Sequence, residues 1–256
     1  MTAGKDIEEA FQVTSKLVFG KALEGLDNYE NWLTKRVPKG RMKPSCMNGK
    51  MIYVPEYAAY RMIPEEKVAD AKSFTELSQR KIDLDENKTE TISSLSQKMG
   101  KISTFITEFE EGTNLDVVES TIYLNLAHAY RLVDCFHSKS IAYSFFSDNC
   151  DHAFGVSKSF NCNFCIKAHD SNDCVRSFEV DFSGNCSDVM FCHNVNNVHS
   201  SLFCFNTKNL RYAIANTVVG KEAYDKARKL LCDYLYAKLA KEKKLDIDIY
   251  NVGGKA

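Results

Sequence analysis

Cysteine and histidine are the residue types in this chain best suited to chemistry, because thiolates and imidazoles ligate metals and act in catalysis. Eight of the ten cysteines lie within residues 135–204. Cys162 and Cys165 form a C-x-x-C pair, and Cys192 directly precedes His193. Such residues favour zinc or an iron–sulfur cluster. The candidate ligands are Cys162, Cys165, Cys174, Cys186, Cys192 and His193.

The same cysteines also belong to a repeat of twelve residues. One column continues from cysteine into aliphatic residues: Cys150, Cys162, Cys174, Cys186, Val198 and Leu210. An apolar column lies four positions later: Phe154, Ile166, Phe178, Met190, Leu202 and Ile214. Because aliphatic side chains take over the cysteine positions, we expect most of these thiols to serve packing as small hydrophobic groups.

Motifs of common enzyme classes are missing from the sequence. It contains no H-E-x-x-H, no G-x-S-x-G, no phosphate-binding loop and no G-x-G-x-x-G after a strand. A cysteine–histidine pair could still form in space, but nothing singles out one cysteine as a nucleophile. The pattern therefore favours a non-enzymatic protein over an enzyme.

A basic stretch near the N-terminus is the best local candidate for an anionic partner. No acidic residue occurs between Leu33 and Val54, and the candidate anion-binding residues are Lys35, Arg36, Lys39, Arg41 and Lys43. Phosphate groups of nucleic acid are one such partner, through the basic loop at 35–50. A solvated surface loop is the alternative interpretation and the one we prefer.

The repeat predicts a mainly β fold, a right-handed parallel β-helix. Two apolar columns two positions apart indicate strand alternation, and the asparagine before each cysteine suits a corner, since asparagine tolerates left-handed backbone and stacks in amide ladders. Twelve residues enclose only a narrow tube, whereas Phe154, Phe178 and Met190 are large. We therefore predict about 24 residues per coil, built from two 12-residue half-repeats.

Helical segments flank the predicted β-helix. We expect a helical and irregular N-terminal cap over residues 1–112, the β-helix over 113–219, and an amphipathic capping helix with a tail over 220–256. Within the first region, helices are predicted around residues 6–18, from residue 27, and through Met99 and Phe109.

Charge and hydropathy indicate a protein without membrane segments. The formal net charge is -1, so no global charge draws the chain to nucleic acid or to a membrane. No apolar run approaches the roughly 20 residues that span a bilayer. Because the first residues are acidic rather than apolar, we expect a cytoplasmic location.

The end of the repeat resembles a family of uncharacterised, cysteine- and asparagine-rich β-helical proteins of archaea and bacteria. Its signature is an N-x-R/K-Y-x-I-x-N segment followed by a helix, and the matching residues are Asn209, Arg211, Tyr212, Ile214, Asn216, Glu222 and Tyr224. The resemblance implies a right-handed β-helix but supplies no activity. At the level of fold alone, the chain is also similar to β-helical scaffold subunits of iron–sulfur cluster assembly.

Two functions follow as expectations. The first is a non-enzymatic scaffold or protein-interaction module that binds a protein partner or assembles as a homo-oligomer. The alternative is a metal or iron–sulfur binding or assembly module that uses the β-helix cysteines and His193.

Overall fold

The computed structural model describes residues 3–84, 89–147, 154–155, 157–159, 165–167 and 176–254. They form two compact units, residues 1–39 with 111–256 and residues 40–110. The helices are α1 Lys5–Phe19, α2 Glu30–Leu33, α3 Ala58–Arg61, α4 Phe74–Ser78, α5 Ile92–Met99 and α6 Lys221–Glu242. The strands are β1 Gly40–Pro44, β2 Met51–Pro55, β3 Val68–Ala69, β4 Phe105–Ile106, β5 Glu110–Glu111, β6 Leu115–Val118, β7 Thr121–Leu124, β8 Ala127–Tyr130, β9 Val133–Phe136, β10 Lys139–Ala142, β11 Phe145–Ser147, β12 Ser157–Ser159, β13 Phe178–Asp181, β14 Ser187–Leu202, β15 Phe205–Ile214 and β16 Thr217–Val218.

The first unit is a parallel β-solenoid with helices packed against it, which confirms the predicted fold class. Parallel pairing joins residues twelve apart, from Leu115 with Ala127 to Leu202 with Ile214. Each coil is therefore twelve residues long, and the prediction of about 24 residues per coil is wrong. The right-handed sense of the coil stays a prediction.

Every third residue of the solenoid turns a corner. Within the segments 116–143 and 176–215, these corner residues have φ between 46° and 60°. A coil thus has four sides of three residues each. The predicted asparagine corners are confirmed at Asn185, Asn197 and Asn209, and the Asn197 amide donates to Asn209 at 2.8 Å.

The residue after each corner points into the tube, and most of these residues are small or aliphatic. Two of the buried apolar clusters consist almost wholly of such positions. The described and buried interior residues are Leu126, Ala129, Leu132, Cys135, Ser138, Ile141, Ser144, Cys165, Ser177, Val180, Ser183, Cys186, Val189, Cys192, Val195, Val198, Ser201, Cys204 and Ala213. Cysteine, serine, alanine and valine suit so narrow a tube.

The large apolar column points outward, which explains the error in coil length. Phe154, Phe178 and Met190 are buried in a separate cluster with residues of α1, the turn at 26–33 and α6. Phe154 meets Phe11 at 5.4 Å between ring centroids, and Phe178 meets Phe19 at 5.3 Å. These large side chains are therefore buried beneath helices on the outside of the tube, and the tube needs no room for them inside.

Helices α1 and α6 lie where the sequence pattern predicts them, although Leu230 and Tyr234 of α6, which the apolar pattern would bury, are exposed. Asp6 lies in the first turn of α1, where a carboxylate complements the helix dipole, and Gly20 ends the helix with a φ of 83°. The buried face of α6 includes Tyr224, Leu235 and Leu239. Both helices contribute this apolar face to the cluster over the outward column.

The second unit contains an antiparallel β1–β2 hairpin and a parallel β3–β4 pair. Its small core includes Ile52, Val54 and Val68. The helix predicted through Phe109 is wrong, because Phe105–Ile106 is strand β4 and pairs with Val68–Ala69. The helix predicted through Met99 is confirmed as α5, which Thr91 begins with a capping box.

Candidate functional site

The interior thiols are held as small hydrogen-bonding side chains. Four of them approach the carbonyl oxygen two residues earlier, at 3.0–3.6 Å: Cys135, Cys186, Cys192 and Cys204. Interior serines do the same at 2.9–3.1 Å: Ser138, Ser144, Ser183 and Ser201. Cysteine and serine are thus interchangeable at these interior positions, because each is small and can donate a hydrogen bond to a backbone carbonyl of the coil.

The structure places the predicted metal ligands that it describes on two sides of the solenoid wall. Cys165, Cys186 and Cys192 are buried inside the tube, whereas the His193 imidazole is half-buried outside it and lies 2.8 Å from the Asp181 carboxylate. Consecutive positions 192 and 193 face opposite sides of the wall, so they do not converge. Cys162 and Cys174 lie outside the described residues. Within the described part of the chain, no group of three or more histidine, cysteine or acidic side chains could hold a metal ion.

Cys192 and Cys204 are stacked neighbours in one interior column. Their thiols are hydrogen-bonded, which lowers the pKa of Cys204 below its usual range and raises the pKa of Cys192. Burial of both side chains disfavours a thiolate. Both are free cysteines and both are fully buried, so packing accounts for them.

The basic stretch is divided between the two units and partly used in internal ion pairs. Lys43 is buried beside Glu65, at 3.4 Å. Arg36 pairs with Glu179 and with Asp248, and Lys35 also pairs with Asp248. The side chains of Lys39 and Arg41 are exposed. An anionic partner at this stretch stays a prediction, and it now concerns chiefly the exposed side chains.

A buried cluster of charges joins three distant parts of the first unit. The Lys167 ammonium lies 2.8 Å from Glu179, one coil further along, and both side chains are at most 3% exposed. Glu179 also accepts from Arg36 at 3.1 Å and from the backbone N–H of Ile249 at 3.2 Å. Burial lowers the pKa of Lys167, although the charge of Glu179 opposes the shift.

This cluster was missed from the sequence, yet a signal for it exists. Lys167 and Glu179 are opposite charges twelve residues apart, the separation of stacked neighbours. The same rule links Glu119 to Arg131. The further pairs on this rule are Asp116 with His128, Arg176 with Asp188, and Asp181 with His193. A correct coil length would have predicted all of them.

The last coil of the solenoid has an open backbone edge. In the preceding coils, one residue on each side pairs with the next coil through both of its backbone groups. Its N–H donates to the C=O of the residue eleven positions later, as His193 does to Cys204. Its C=O accepts from the N–H of the residue thirteen positions later, as Met190 does from Phe203. For Phe205, Lys208 and Arg211 those partners would lie beyond Ala215, where the chain leaves the solenoid.

Two devices close part of this edge. Strand β16 pairs with Ala213 and Ile214 in an antiparallel hairpin. The Asn216 amide accepts from the Phe205 N–H at 2.9 Å and donates to the Phe205 C=O at 2.8 Å, so it replaces a peptide of the absent coil. Among the described residues, nothing pairs with the outward backbone groups of Lys208 and Arg211. Their side chains are exposed.

The comparisons with known proteins returned no relative. No family model, no curated protein and no solved structure matches the chain. The described helices include none with the length and apolar character required to cross a membrane.

Proposed function

We propose that this chain is a non-enzymatic scaffold that binds a short acidic segment of a partner protein at the open end of its solenoid. The observation that supports this function is the free backbone edge at Lys208 and Arg211. Each of these residues offers one N–H and one C=O in the geometry that the preceding coil uses for parallel pairing. A segment that adds to this edge and bends beside the corner at Asn209, as the coils themselves do, would continue the ladder by strand addition.

Charge selects the kind of segment. Lys208 and Arg211 are the side chains beside the open backbone groups, and both are exposed. Acidic residues on the added strand would lie next to them, and cross-strand pairs of opposite charge stabilise a sheet. A second copy of the same edge would bring like charges together, which disfavours self-association there. The cap at Phe205 and the β16 hairpin limit the added strand to a short segment.

Proline substitution tests the edge without removing a contact inside the protein. In Lys208→Pro/Arg211→Pro both free N–H groups are lost, and neither position has a left-handed φ. The matched control Lys208→Ala/Arg211→Ala removes the two charges but keeps the N–H groups. The probe is a short peptide with glutamates three residues apart and a glycine at the corner position between them, labelled for fluorescence anisotropy, with an equivalent lysine peptide for comparison.

We expect the wild-type chain to bind the acidic peptide and the proline variant to bind it at least tenfold more weakly. The alanine variant should keep part of the affinity and lose most of its salt dependence. Circular dichroism verifies that both variants are folded. Equal binding by the wild-type and proline chains would overturn the proposed edge. A dimer in light scattering that only the proline variant abolishes would assign the edge to a second copy instead.

A further inference from the structure

A cavity of about 400 Å³ lies in the first unit between the turn at 26–36 and the C-terminal end of helix α6. Its volume falls in the range of small-molecule sites. The residues around it are Asn28, Asn31, Trp32, Lys35, Glu242, Lys243, Lys244, Leu245 and Asp246. None of them belongs to the open edge of the solenoid, so the cavity is independent of the scaffold function.

Three residues that line this cavity carry hydrogen-bond donors without a partner among the described residues. Trp32 is 4% exposed, and its indole Nε1 is buried and has no hydrogen-bond partner within the described chain. A buried N–H that stays unpaired costs about 1–3 kcal/mol. The exposed side-chain amides of Asn28 and Asn31 likewise have no partner among the described residues. Because the indole can only donate, it requires an acceptor.

The charges around the cavity favour an anion. Lys35, Lys243 and Lys244 contribute three ammonium groups. The two lining carboxylates already have cationic neighbours, since Glu242 accepts from Lys238 at 2.9 Å and Asp246 lies 3.6 Å from Lys244. Lys35 is also bound to Asp248, and Lys243 donates to Tyr29. The side chains of Lys35 and Lys244 remain more than half exposed, so both can reach a ligand.

We infer that this cavity binds a small organic anion, a phosphate ester or a carboxylate, whose oxygens accept from the Trp32 indole, the Asn28 and Asn31 amides and the lysine ammonium groups. The anionic group supplies the acceptors that these donors lack. The cavity is larger than a phosphate ion, so it also accommodates the organic part of the ligand.

Trp32 makes the inference directly measurable, because it is the single tryptophan of the chain. Glucose 6-phosphate and inorganic phosphate are the charged probes, and glucose is the uncharged counterpart, all at constant ionic strength. We expect a saturable change in tryptophan emission with glucose 6-phosphate, a weaker one with phosphate and none with glucose. Calorimetry with the same probes covers the case of a binding event that leaves emission unchanged.

Two variants assign the binding to the cavity. Asn31→Ala/Lys244→Gln should weaken binding of glucose 6-phosphate at least fivefold. The matched control Lys241→Gln changes an exposed lysine of helix α6 that does not line the cavity, and it should leave the affinity unchanged. No saturable binding by either method would overturn the inference, and so would equal weakening by the control variant. Equal binding of glucose would exclude an anion site.

Discussion

At the scale of the residue, the solenoid is defined by its left-handed corners. A non-glycine residue in this conformation costs roughly 1–2 kcal/mol, with asparagine, aspartate and histidine tolerated best. Many corners carry such residues, among them Asn125, His128 and Asp188. Others, such as Ile122 and Phe191, carry side chains that gain nothing from the conformation itself. Contacts elsewhere must offset their cost.

Ala215 offers a test of this cost because its side chain is exposed. Ala215 and Asn216, with φ of 49° and 64°, are the central residues of the hairpin turn between β15 and β16. Asparagine is favoured at the first position of such a turn. We expect Ala215→Asn to raise the free energy of unfolding by about 0.5–1 kcal/mol in urea denaturation.

The control for this prediction lies two residues further along. Thr217 is exposed on the same hairpin but has no left-handed φ, so Thr217→Asn should stabilise nothing. A gain of similar size in both variants would mean that the corner conformation is not its source.

At the scale of the element, the bore of the tube decides which side chains the strands carry. A coil of twelve residues places four side chains inside, and the wall carbonyls approach them within hydrogen-bonding distance. Serine and cysteine fill this space and satisfy the wall, while large rings are directed outward under the helices. The number of cysteines is thus a consequence of the coil length.

Cys192 is the position at which the bore can be probed. Serine already occupies equivalent interior positions, so Cys192→Ser should cost about 1 kcal/mol in urea denaturation. Phenylalanine exceeds the available space, so Cys192→Phe should cost about 3 kcal/mol or more, or prevent folding. The control Cys46→Phe changes an exposed cysteine and should cost less than about 0.5 kcal/mol. A well-folded Cys192→Phe chain of unchanged stability would contradict the narrow tube.

At the scale of the whole first unit, Glu179 ties together segments that are distant in sequence. It contacts Arg36 before the solenoid, Lys167 within it and the Ile249 N–H after helix α6. Glu179 accepts hydrogen bonds from Arg36 and Ile249 and forms an ion pair with Lys167, whereas Glu179 is the carboxylate that lies beside the buried Lys167 ammonium. The two members of the pair should therefore respond differently to substitution.

We expect Glu179→Gln to lower the free energy of unfolding by about 3–5 kcal/mol, because it leaves the Lys167 charge buried without a carboxylate. Lys167→Met should stay within about 1 kcal/mol of the wild type, since Glu179 retains Arg36 and Ile249. The double variant should recover part of the loss. The control Asp188→Asn breaks the more exposed pair with Arg176 and should cost less than about 1 kcal/mol.

The shifted pKa of Lys167 also predicts the direction in which stability changes with pH. Burial lowers the pKa of Lys167 from 10.5, so just below pH 10.5 the unfolded chain binds more protons than the folded chain. Stability therefore rises with pH in that window through this group. The wild type should gain stability relative to Lys167→Met as the pH approaches 10.5. A difference that does not change with pH would show that Lys167 titrates normally in the folded protein.

Much of the fold could be predicted from local patterns. Helix α1 and helix α6 follow from the spacing of apolar residues, and the asparagine corners follow from the tolerance of asparagine for left-handed backbone. The strand at Phe105–Ile106 could not be, because it pairs with residues nearly forty positions earlier. The contacts of Glu179 with Arg36 and Ile249 could not be predicted for the same reason, since these partners come from opposite ends of the chain.

By itself, the sequence determined the period of twelve, because a recurring side-chain pattern records which positions are equivalent. It also determined that asparagines would form corners and that most cysteines would pack. Only the tertiary structure decided which side of the wall each apolar column faces. The periodicity of buried residues is the same whether they lie within a tube or beneath helices packed on its outside. Because the large apolar column faces outward, a coil of twelve residues is wide enough for the side chains that remain inside. The same arrangement places Cys192 and His193 on opposite sides of the wall. The tertiary structure also leaves the backbone edge at Lys208 and Arg211 open.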